Sequence, residues 1–303
     1  MAKVVGLAEA VSELIPDGAS VALGCALEGS IPFAVGHELI RQRRRRLTLI
    51  GPISDSLFDQ LIGAGCVSRV IAAWVGNVSE GLGHCYRRAQ EGRSGSPIEL
   101  QDHSNLSISL GLTAAAWGVP ALPTTSLLGS DILASNPLLR RTRSALDGTQ
   151  IVLVPAIKPE VTVVHAQRCD GDGNFHIWGA LGVTEEAALA ADKVLVTTEE
   201  LVDSQVVLSD PNRILVPQRK VAAVVHLPGA AHPSGVPGLH KRDNDFYRQY
   251  ALASRTEAGF ERWLQQWVEP GWDAYLAKLG RPRREALAIR HPKPSVPVDY
   301  GYE

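Results

Sequence analysis

The sequence predicts an α/β fold: an open, mostly parallel twisted sheet with helices on both faces, followed by C-terminal helices and a tail. Strand-like and helix-like segments alternate along the chain, which is typical of βαβ units. The strand-like segments are short and apolar throughout, so each predicts a strand that is buried on both faces. A chain of 303 residues, of which 45% are hydrophobic, is also long enough to bury one large core.

Six elements are predicted before residue 120, alternately strands and helices, at 19–23, 32–46, 47–50, 56–65, 69–75 and 105–117. The first helix begins at Pro32, whose fixed φ suits a first helical turn. That helix ends in an arginine-rich segment, where cations meet the negative end of the helix dipole. Ser104 and Asn105 supply the cap of the last of these helices, and Gly118 and Pro120 end it.

The second half of the chain contains strands rich in β-branched residues, predicted at 151–155, 161–166, 194–198, 214–217 and 221–227. Thr184 predicts the cap of a helix that runs to Ala191. The remaining predicted helices lie at 243–254, 260–267 and 272–279. We therefore expect one domain over residues 1–280. A proline- and arginine-rich tail over 281–303 is expected to be mobile or to lie on a partner.

Composition and charge exclude several classes of protein. Lys and Arg number 30 against 32 Asp and Glu, so the net charge of −2 gives no reason to expect nucleic acid binding. No apolar run approaches the roughly 20 residues of a spanning helix, and the N-terminus lacks a signal-peptide core. No membrane association and a cytoplasmic location are therefore expected. The 4 cysteines are far apart, which predicts buried free thiols rather than a zinc or dithiol site.

Two familiar site motifs are incomplete. Gly24 and Gly29 have the spacing of a phosphate-binding loop, but Ser30 stands where its lysine belongs. The segment 170–174 imitates the start of a calcium loop, yet Phe175 replaces the glycine that its sharp turn requires. A tight turn between two strands is the better interpretation of this segment, and no catalytic metal site is expected.

Three stretches of sequence carry a resemblance to a known family. Residues 103–107 with 114–131 resemble the pattern S-N-L … A-G-x-P-x-x-P-T-x-S-L-L-G-T-D. Residues 165–174 resemble H-x-Q-x-x-D-x-x-G-N, and residues 197–202 with 228–234 resemble T-x-E-E-(I/L)-V … P-x-G-A-H-P. In this order they resemble the α (A) subunits of family I coenzyme A transferases of the glutaconate CoA-transferase type. The chain also resembles the A-type component of the related steroid ring-opening CoA hydrolases.

The resemblance implies the CoA-transferase, NagB-RpiA-like version of the predicted fold. It also implies an enzyme that moves CoA between an acyl-CoA and a free carboxylic acid. In such enzymes a glutamate carboxylate attacks the thioester and is itself converted into a glutamyl-CoA thioester. In the two-subunit members that glutamate lies on the β subunit. We therefore expect a β-subunit partner in an α2β2-type hetero-oligomer, CoA as a co-substrate, no tightly bound cofactor and no catalytic residue on this chain.

Asn105 is the first candidate for contact with substrate. It matches the asparagine of the transferase pattern, whereas a glutamate stands there in the hydrolase branch. With Ser104 it either binds substrate or caps the helix. Thr124 and Ser126 either donate hydrogen bonds to substrate or stabilise their turn. Thr125 stands where relatives often carry an arginine that would hold a carboxylate in two places, so it predicts a less charged acyl group than glutaconate.

The loop after the first strand supplies the remaining candidates. Gly24 and Gly29 are predicted to approach CoA, because open sheets bind ligands at the carboxyl ends of their strands. Glu28 lies in the same loop and is either a substrate-binding or merely an exposed side chain. Glu199 and Glu200 follow another strand directly, and they either cap or pin the next segment or belong to the site. The arginine-rich segment 41–46 either contacts CoA phosphates or is solvated.

Two other functions fit the same residues. One is the α-type component of an acyl-CoA ring-opening hydrolase, in which water replaces the second acid; a glutamate in place of Asn105 would support it. The other is a non-catalytic ligand-sensing or assembly subunit on the same fold, because the chain has no glutamate in a convincing nucleophile position.

Overall fold

The computed structural model describes residues 3–93 and 97–289, which form parallel strands packed between helices. The strands are β1 (Lys3–Val4), β2 (Ser20–Ala22), β3 (Leu47–Ile50), β4 (Val67–Ala72), β5 (Gly76–Asn77), β6 (Gly81–Leu82), β7 (Glu99–Asp102), β8 (Ala121–Thr124), β9 (Arg140–Arg143), β10 (Gln150–Pro155), β11 (Val161–Cys169), β12 (Phe175–His176), β13 (Lys193–Leu201) and β14 (Val221–His226). The helices are α1 (Leu7–Leu14), α2 (Phe33–Arg41), α3 (Asp55–Gly63), α4 (His84–Gln90), α5 (Asn105–Trp117), α6 (Ile132–Ser135), α7 (Thr184–Ala190), α8 (Ser204–Leu208), α9 (Asn244–Ser254), α10 (Glu257–Trp263), α11 (Trp272–Leu279) and α12 (Arg281–Leu287).

The large sheet is parallel apart from one short strand. Within the described residues its order is β1-β14-β13-β11-β2-β3-β4-β7, and β12 pairs antiparallel with β11. The chain extends the sheet in one direction from β2 to β7 and in the other direction from β11 to β14, so the order reverses between β2 and β11. Open α/β sheets bind ligands at the carboxyl edge of such a reversal. The predicted fold class is confirmed.

Helices cover both faces of the sheet, and its central strands are apolar at nearly every position. Val21, Leu49 and Val163 belong to a core shared with α1, α2, α3 and the C-terminal helices. Ala22 and Ile50, which alternate with them, belong to a core shared with α5 and α7. This two-sided burial is the arrangement that the uniformly apolar strands predicted.

Helix α5 has the bounds predicted for it. The Ser104 hydroxyl accepts the Ser107 N–H at 3.1 Å, and Ser107 Oγ accepts the Ser104 N–H at 2.9 Å. At the other end, Gly118 adopts a φ of 71°, a left-handed conformation that glycine tolerates without steric cost. Because both ends are set by local residues, this helix was predictable from its own sequence.

A small antiparallel sheet, in the order β8-β10-β9, follows α5. One side of it buries Val152 and Val154 against Leu127 and Leu139. Of these three strands, only β10 was predicted from the sequence. Strand β8 contains Pro123, and β9 carries three arginines in four residues, so neither has strand-like composition.

Two local predictions in the second half of the chain were wrong. Residues 214–217 do not form a strand; Ile214 makes only an isolated bridge with His176, between two 3-10 turns. Thr184 is the first residue of α7 rather than its cap. Its hydroxyl donates to the carbonyl of Leu181 at 2.6 Å and so braces the preceding turn.

The arginine-rich segment ends α2 early instead of extending it to residue 46. Arg43 and Arg46 have positive φ angles of 54° and 57°, so the helix stops at Arg41. The Arg45 guanidinium donates to the carbonyl of Ala64 at 3.0 Å. The segment precedes β3 and lies at the amino edge of the sheet, opposite the edge where ligands bind. This position favours a structural role over contact with CoA phosphates.

The predicted tail begins with a helix, α12. The Lys241 N–H donates to the Leu287 carbonyl at 2.8 Å, and the Ile289 N–H donates to the Leu239 carbonyl at 2.9 Å. Residues 281–289 therefore pack on the domain. Residues 290–303 of the predicted tail lie outside the described residues, and the division at residue 280 stays a prediction.

The turn at 170–174 joins β11 to β12, as predicted. The Asp170 carboxylate accepts the N–H groups of Asp172 and Asn174 at 3.0 and 2.8 Å, so its oxygens stabilise the turn. Among the residues that the structure describes, no group of three or more His, Cys, Asp or Glu side chains is arranged to hold a metal ion.

The cysteines are buried free thiols, as predicted, at Cys25, Cys66, Cys85 and Cys169. Burial raises the pKa of Cys25 to about 12 and that of Cys66 to about 11, so both thiols stay protonated at neutral pH. Over the described ranges, no helix combines the length and apolar character needed to cross a bilayer.

Candidate functional site

The candidate residues lie at the carboxyl edge of the large sheet. Because the strands are parallel, the loop after β2 and the start of α5 after β7 emerge on the same side. Gly24, Glu28 and Gly29 belong to the first of these, the β2 loop (residues 23–32). Ser104 and Asn105 form the second.

The β2 loop is held in an unusual conformation. Gly24 has a φ of 65°, and a Cβ atom there would lie 2.8 Å from Ser54 Oγ, so a larger residue would force a shift. Leu27 and Ser30 also have positive φ, 63° and 50°, which is uncommon for residues with a side chain. Such conformations persist only where surrounding contacts hold them, and they concentrate at functional sites.

The segment after β14 supplies contacts that hold the β2 loop. The Ser30 N–H donates to the Gly235 carbonyl at 2.8 Å, and the Ser234 hydroxyl donates to the Glu28 carbonyl at 2.6 Å. The Glu28 carboxylate itself is exposed and lies 4.0 Å from the Arg242 guanidinium. It is therefore accessible to a ligand, and its role in substrate binding stays a prediction.

Asn105 occupies the first position of α5 with its side chain exposed, while Ser104 performs the capping. The interpretation of Asn105 as the cap itself is therefore wrong, and its amide remains available to a ligand. Unpaired N–H groups in a first helical turn create a positive potential that favours anions. The neighbouring Leu106 is 48% exposed, so this helix end presents an apolar side chain beside the amide.

A buried histidine supports the start of α5. His103 Nε2 lies 3.1 Å from the Asn136 side-chain amide nitrogen, and His103 Nδ1 lies 3.0 Å from Ser107 Oγ. Because the amide NH2 of Asn136 donates, Nε2 accepts and Nδ1 carries the proton. Burial lowers the pKa of His103 to about 4, so the imidazole is neutral at physiological pH.

Thr124, Thr125 and Ser126 lie where β8 ends. Thr124 Oγ1 accepts the Ser126 N–H at 3.0 Å, so Thr124 stabilises the turn. Thr125 is exposed. Further along the same connection, the Asn136 amide donates to the Asp102 carbonyl at 2.9 Å and so ties this segment to the start of α5.

The β2 loop and the start of α5 form two separate groups of candidates. Strands β3 and β4 lie between β2 and β7. At the usual strand spacing the two groups are about 14 Å apart. Within the described ranges, no hydrogen bond or ion pair joins them. The two groups are therefore separate parts of the carboxyl edge of this chain.

A third group, whose arrangement the sequence did not predict, surrounds the Glu199 carboxylate near the carboxyl end of β13. Glu199 is 7% exposed. It accepts hydrogen bonds from His165 Nε2 at 2.9 Å and His240 Nε2 at 3.2 Å, and the Gly229 N–H lies 3.0 Å from both of its oxygens. Burial by itself raises the pKa of a carboxyl group. These donors outweigh it and hold the pKa of Glu199 well below its usual range.

A second buried carboxylate lies on the same side of the domain. Asp243 accepts from His232 Nε2 at 3.1 Å and from Arg283 Nε and Nη2 at 2.6 and 2.7 Å. Burial opposes ionisation here as well, but the hydrogen bonds from His232 and Arg283 outweigh it and lower the pKa of Asp243. Because Arg283 belongs to α12, this ion pair fixes the helix on the domain.

The sequence pointed to some members of these two groups but not to others. His165, Glu199 and His232 belong to the stretches that resemble the transferases. His240 and Arg283 carried no signal. His240 lies 41 residues from Glu199, and Arg283 lies 40 residues from Asp243, so only the folded chain brings each pair together.

Comparison with known proteins identifies the family. Residues 4–227 match the family model described as Coenzyme A transferase. This chain belongs to the coenzyme A transferase family, and the resemblance found in its sequence is confirmed.

The similar proteins include both transferases and hydrolases, and they differ in their sequence identity to this chain. The A-type chain of the 3-oxoadipate CoA-transferase of Pseudomonas knackmussii is 38% identical over 272 residues, which cover 88% of this chain and 94% of the relative. The corresponding chain of the glutaconate CoA-transferase of Acidaminococcus fermentans is 31% identical over 307 residues and covers 95% of each chain. The IpdA component of the cholesterol ring-cleaving hydrolase of Rhodococcus jostii is 26% identical, covering 91% of this chain and 95% of the relative. The higher identities favour the transferase interpretation.

Solved structures share the fold along most of the chain. The crystal structure of glutaconate coenzyme A-transferase from Acidaminococcus fermentans matches with a TM-score of 0.89 at 29% identity, covering 95% of this chain and 96% of that one. The AibA/AibB decarboxylase matches with a TM-score of 0.75, also at 29% identity, covering 87% and 98%.

Proposed function

We propose that this chain works as the α (A-type) subunit of a heteromeric CoA transferase, which moves CoA from an acyl-CoA to a free carboxylic acid. The observation that carries the proposal is the exposed Asn105 side chain at the start of α5, at the carboxyl edge of the parallel sheet. In this proposal CoA is a co-substrate rather than a bound cofactor. The Asn105 amide orients the substrate carboxyl or the oxyanion, and the β2 loop around Gly24 and Gly29 approaches CoA.

The nucleophile comes from a β subunit. The reaction needs a carboxylate that is shielded from water yet free to attack a thioester. Glu199 and Asp243 are buried, but both are occupied by strong donors. Glu28 is accessible but exposed to solvent. A partner that covers the carboxyl edge of the sheet supplies both the attacking glutamate and the exclusion of water, in an α2β2-type assembly located in the cytoplasm.

The proposal extends to the kind of acyl group that the enzyme uses. Thr125 offers an exposed hydroxyl where a guanidinium would clamp a second carboxylate, which supports an acyl group with less charge than glutaconate. A dicarboxylate is the second candidate, because the two transferase relatives are named for 3-oxoadipate and glutaconate.

Co-expression with a candidate β subunit from a neighbouring reading frame tests the proposal. We expect CoA exchange between acids only when both chains are present, and hydroxylamine trapping of an activated glutamate on the partner. The Asn105→Ala variant should lower kcat about 10- to 100-fold, because an oriented amide near the oxyanion is lost. Asn244→Ala is the matched control, since Asn244 is an exposed first residue of another helix, α9, and should leave kcat unchanged.

Other outcomes point to other functions. CoA exchange by the isolated chain would contradict a nucleophile on the partner. Release of CoA without an acceptor acid would support the hydrolase alternative, and ligand binding without turnover would support a sensing or assembly role. Comparing mono- and dicarboxylic acids with their CoA esters decides the acyl group.

A further inference from the structure

A cavity of about 140 Å³ lies at the carboxyl edge on the other side of the strand reversal from α5. It is lined by the end of β13, the segment that follows β14, and helices α11 and α12. The lining residues that bear on its chemistry are Glu199, His240, Lys241, Leu276, Leu279, Arg284 and Leu287. Five strand spacings separate β13 from β7. The cavity is therefore about 24 Å from Asn105. Its lining residue Ser234 also contacts the β2 loop, through the Glu28 carbonyl.

The charge of the lining favours an anion. Glu199 is ionised, but its oxygens already accept from His165, His240 and the Gly229 N–H, so hydrogen bonds within the chain already occupy them. Lys241 and Arg284 also line the cavity, and in the part of the chain that the structure describes neither forms an ion pair. Two cations without a carboxylate partner therefore remain to meet a ligand.

The size and the apolar wall limit the ligand further. A cavity of about 150 Å³ lined by aliphatic side chains is large enough to bind benzene. Leu276, Leu279 and Leu287 also line the cavity, and a ligand with an apolar body gains free energy by contact with them. The cavity therefore fits a compound that has an apolar body of about this size and one anionic group.

We propose that this cavity is a binding site for a small monocarboxylic acid with an apolar body, such as benzoate or hexanoate. The carboxylate of the ligand contacts Lys241 and Arg284. Its apolar body contacts the side chains of Leu276, Leu279 and Leu287. The site is separate from the start of α5.

Isothermal titration calorimetry on the isolated full-length chain tests this proposal, with sodium benzoate as the probe and benzyl alcohol as its uncharged counterpart. We expect benzoate to bind more tightly than benzyl alcohol. Arg284→Gln should weaken benzoate binding about 2- to 5-fold, as for other exposed charges, and Lys241→Gln combined with it should weaken binding further. The matched control is Arg281→Gln, on the same helix but outside the lining, which should not change binding.

A second variant tests the apolar part of the site. Leu279→Trp fills the cavity and should abolish binding of both probes. If that variant fails to fold, as judged by circular dichroism, the charge variants still decide the question. Absence of benzoate binding to the wild-type chain, equal affinity for benzyl alcohol, or equal losses in Arg281→Gln and Arg284→Gln would overturn the proposal. None of these outcomes bears on CoA exchange with the partner, so the two proposals fail independently.

Discussion

Two buried titratable side chains at the carboxyl edge respond to burial in opposite ways because their partners differ. His103 is held by neutral groups of Ser107 and Asn136, so burial decides and the imidazole loses its proton readily. Glu199 is held by two histidines and a backbone N–H, so its hydrogen bonds outweigh burial and the carboxylate keeps its charge. The identity of the partner, rather than the degree of burial, sets the charge of each group.

The neutral state of His103 predicts a pH dependence of stability. Its pKa is about 4 in the folded chain against an ordinary value of 6.5, so the unfolded chain binds the proton more tightly. The stabilisation is therefore complete above about pH 6.5 and is lost as the pH falls towards 4. A shift of this size corresponds to roughly 3 kcal/mol. Urea unfolding of His103→Gln between pH 7 and 4.5 should show a weaker loss of stability on acidification than the wild type.

His226→Gln is the control for this measurement, because His226 is exposed at the end of β14. It should follow the wild-type pH dependence. An identical dependence in the wild type and in His103→Gln would show that His103 does not titrate in this range.

At the scale of elements, local signals decided which predictions succeeded. Helix α5 was predictable because Ser104 and Gly118 set its ends through neighbouring residues alone. Strands β8 and β9 were not, because Pro123 and the arginines of β9 disfavour strands, and only pairing with β10 holds them. Residues 214–217 have strand-like composition but find no continuous partner strand, so composition alone was misleading there.

The packing of α2 on α3 depends on one glycine. A Cβ atom on Gly36 would overlap Leu57 Cδ1. Gly36→Ala should therefore destabilise the chain by about 1–3 kcal/mol, although alanine favours helices, because overpacking in a closed core forces side chains to move. The free energy of unfolding in urea measures the effect.

Two further variants separate overlap from other causes. In the double variant Gly36→Ala/Leu57→Ala the loss should be smaller than the sum of the two single losses, because the new methyl group occupies space that Leu57 leaves. Gly171→Ala is the control, since a Cβ atom there meets no other heavy atom within 4 Å. A Gly36→Ala variant as stable as the wild type would show that Leu57 moves aside freely.

At the scale of the whole molecule, the sequence predicted the family and the edge of the sheet that carries the candidate residues, but not how those residues are grouped. Asn105 and the β2 loop both lie at the carboxyl edge, as the strand order requires. The Glu199 group draws on β11, β13 and the segment after β14, and its cavity is closed by α12. Contacts between segments so distant in the chain leave no local sequence pattern that would predict them.

The proposed partner should cover the start of α5, which predicts an effect of Leu106 on assembly. Leu106 is 48% exposed beside Asn105, so a charge there would be buried against the partner. Leu106→Asp should weaken association with the β chain by a factor of about ten or more in size-exclusion chromatography and titration, while the isolated chain stays folded. Leu252→Asp is the matched control, because Leu252 is 55% exposed on α9. Equal effects of the two variants would place the partner elsewhere.

The first strand of the chain pairs with the last: Lys3 and Val4 align with Ala223 and Val224. During synthesis on the ribosome, more than two hundred residues must therefore be added after β1 before its partner strand β14 is present. At about 5–20 residues per second that interval is on the order of ten seconds or longer. Throughout this interval β1 has no partner strand, so its place in the sheet can be taken only after β14 has been synthesised.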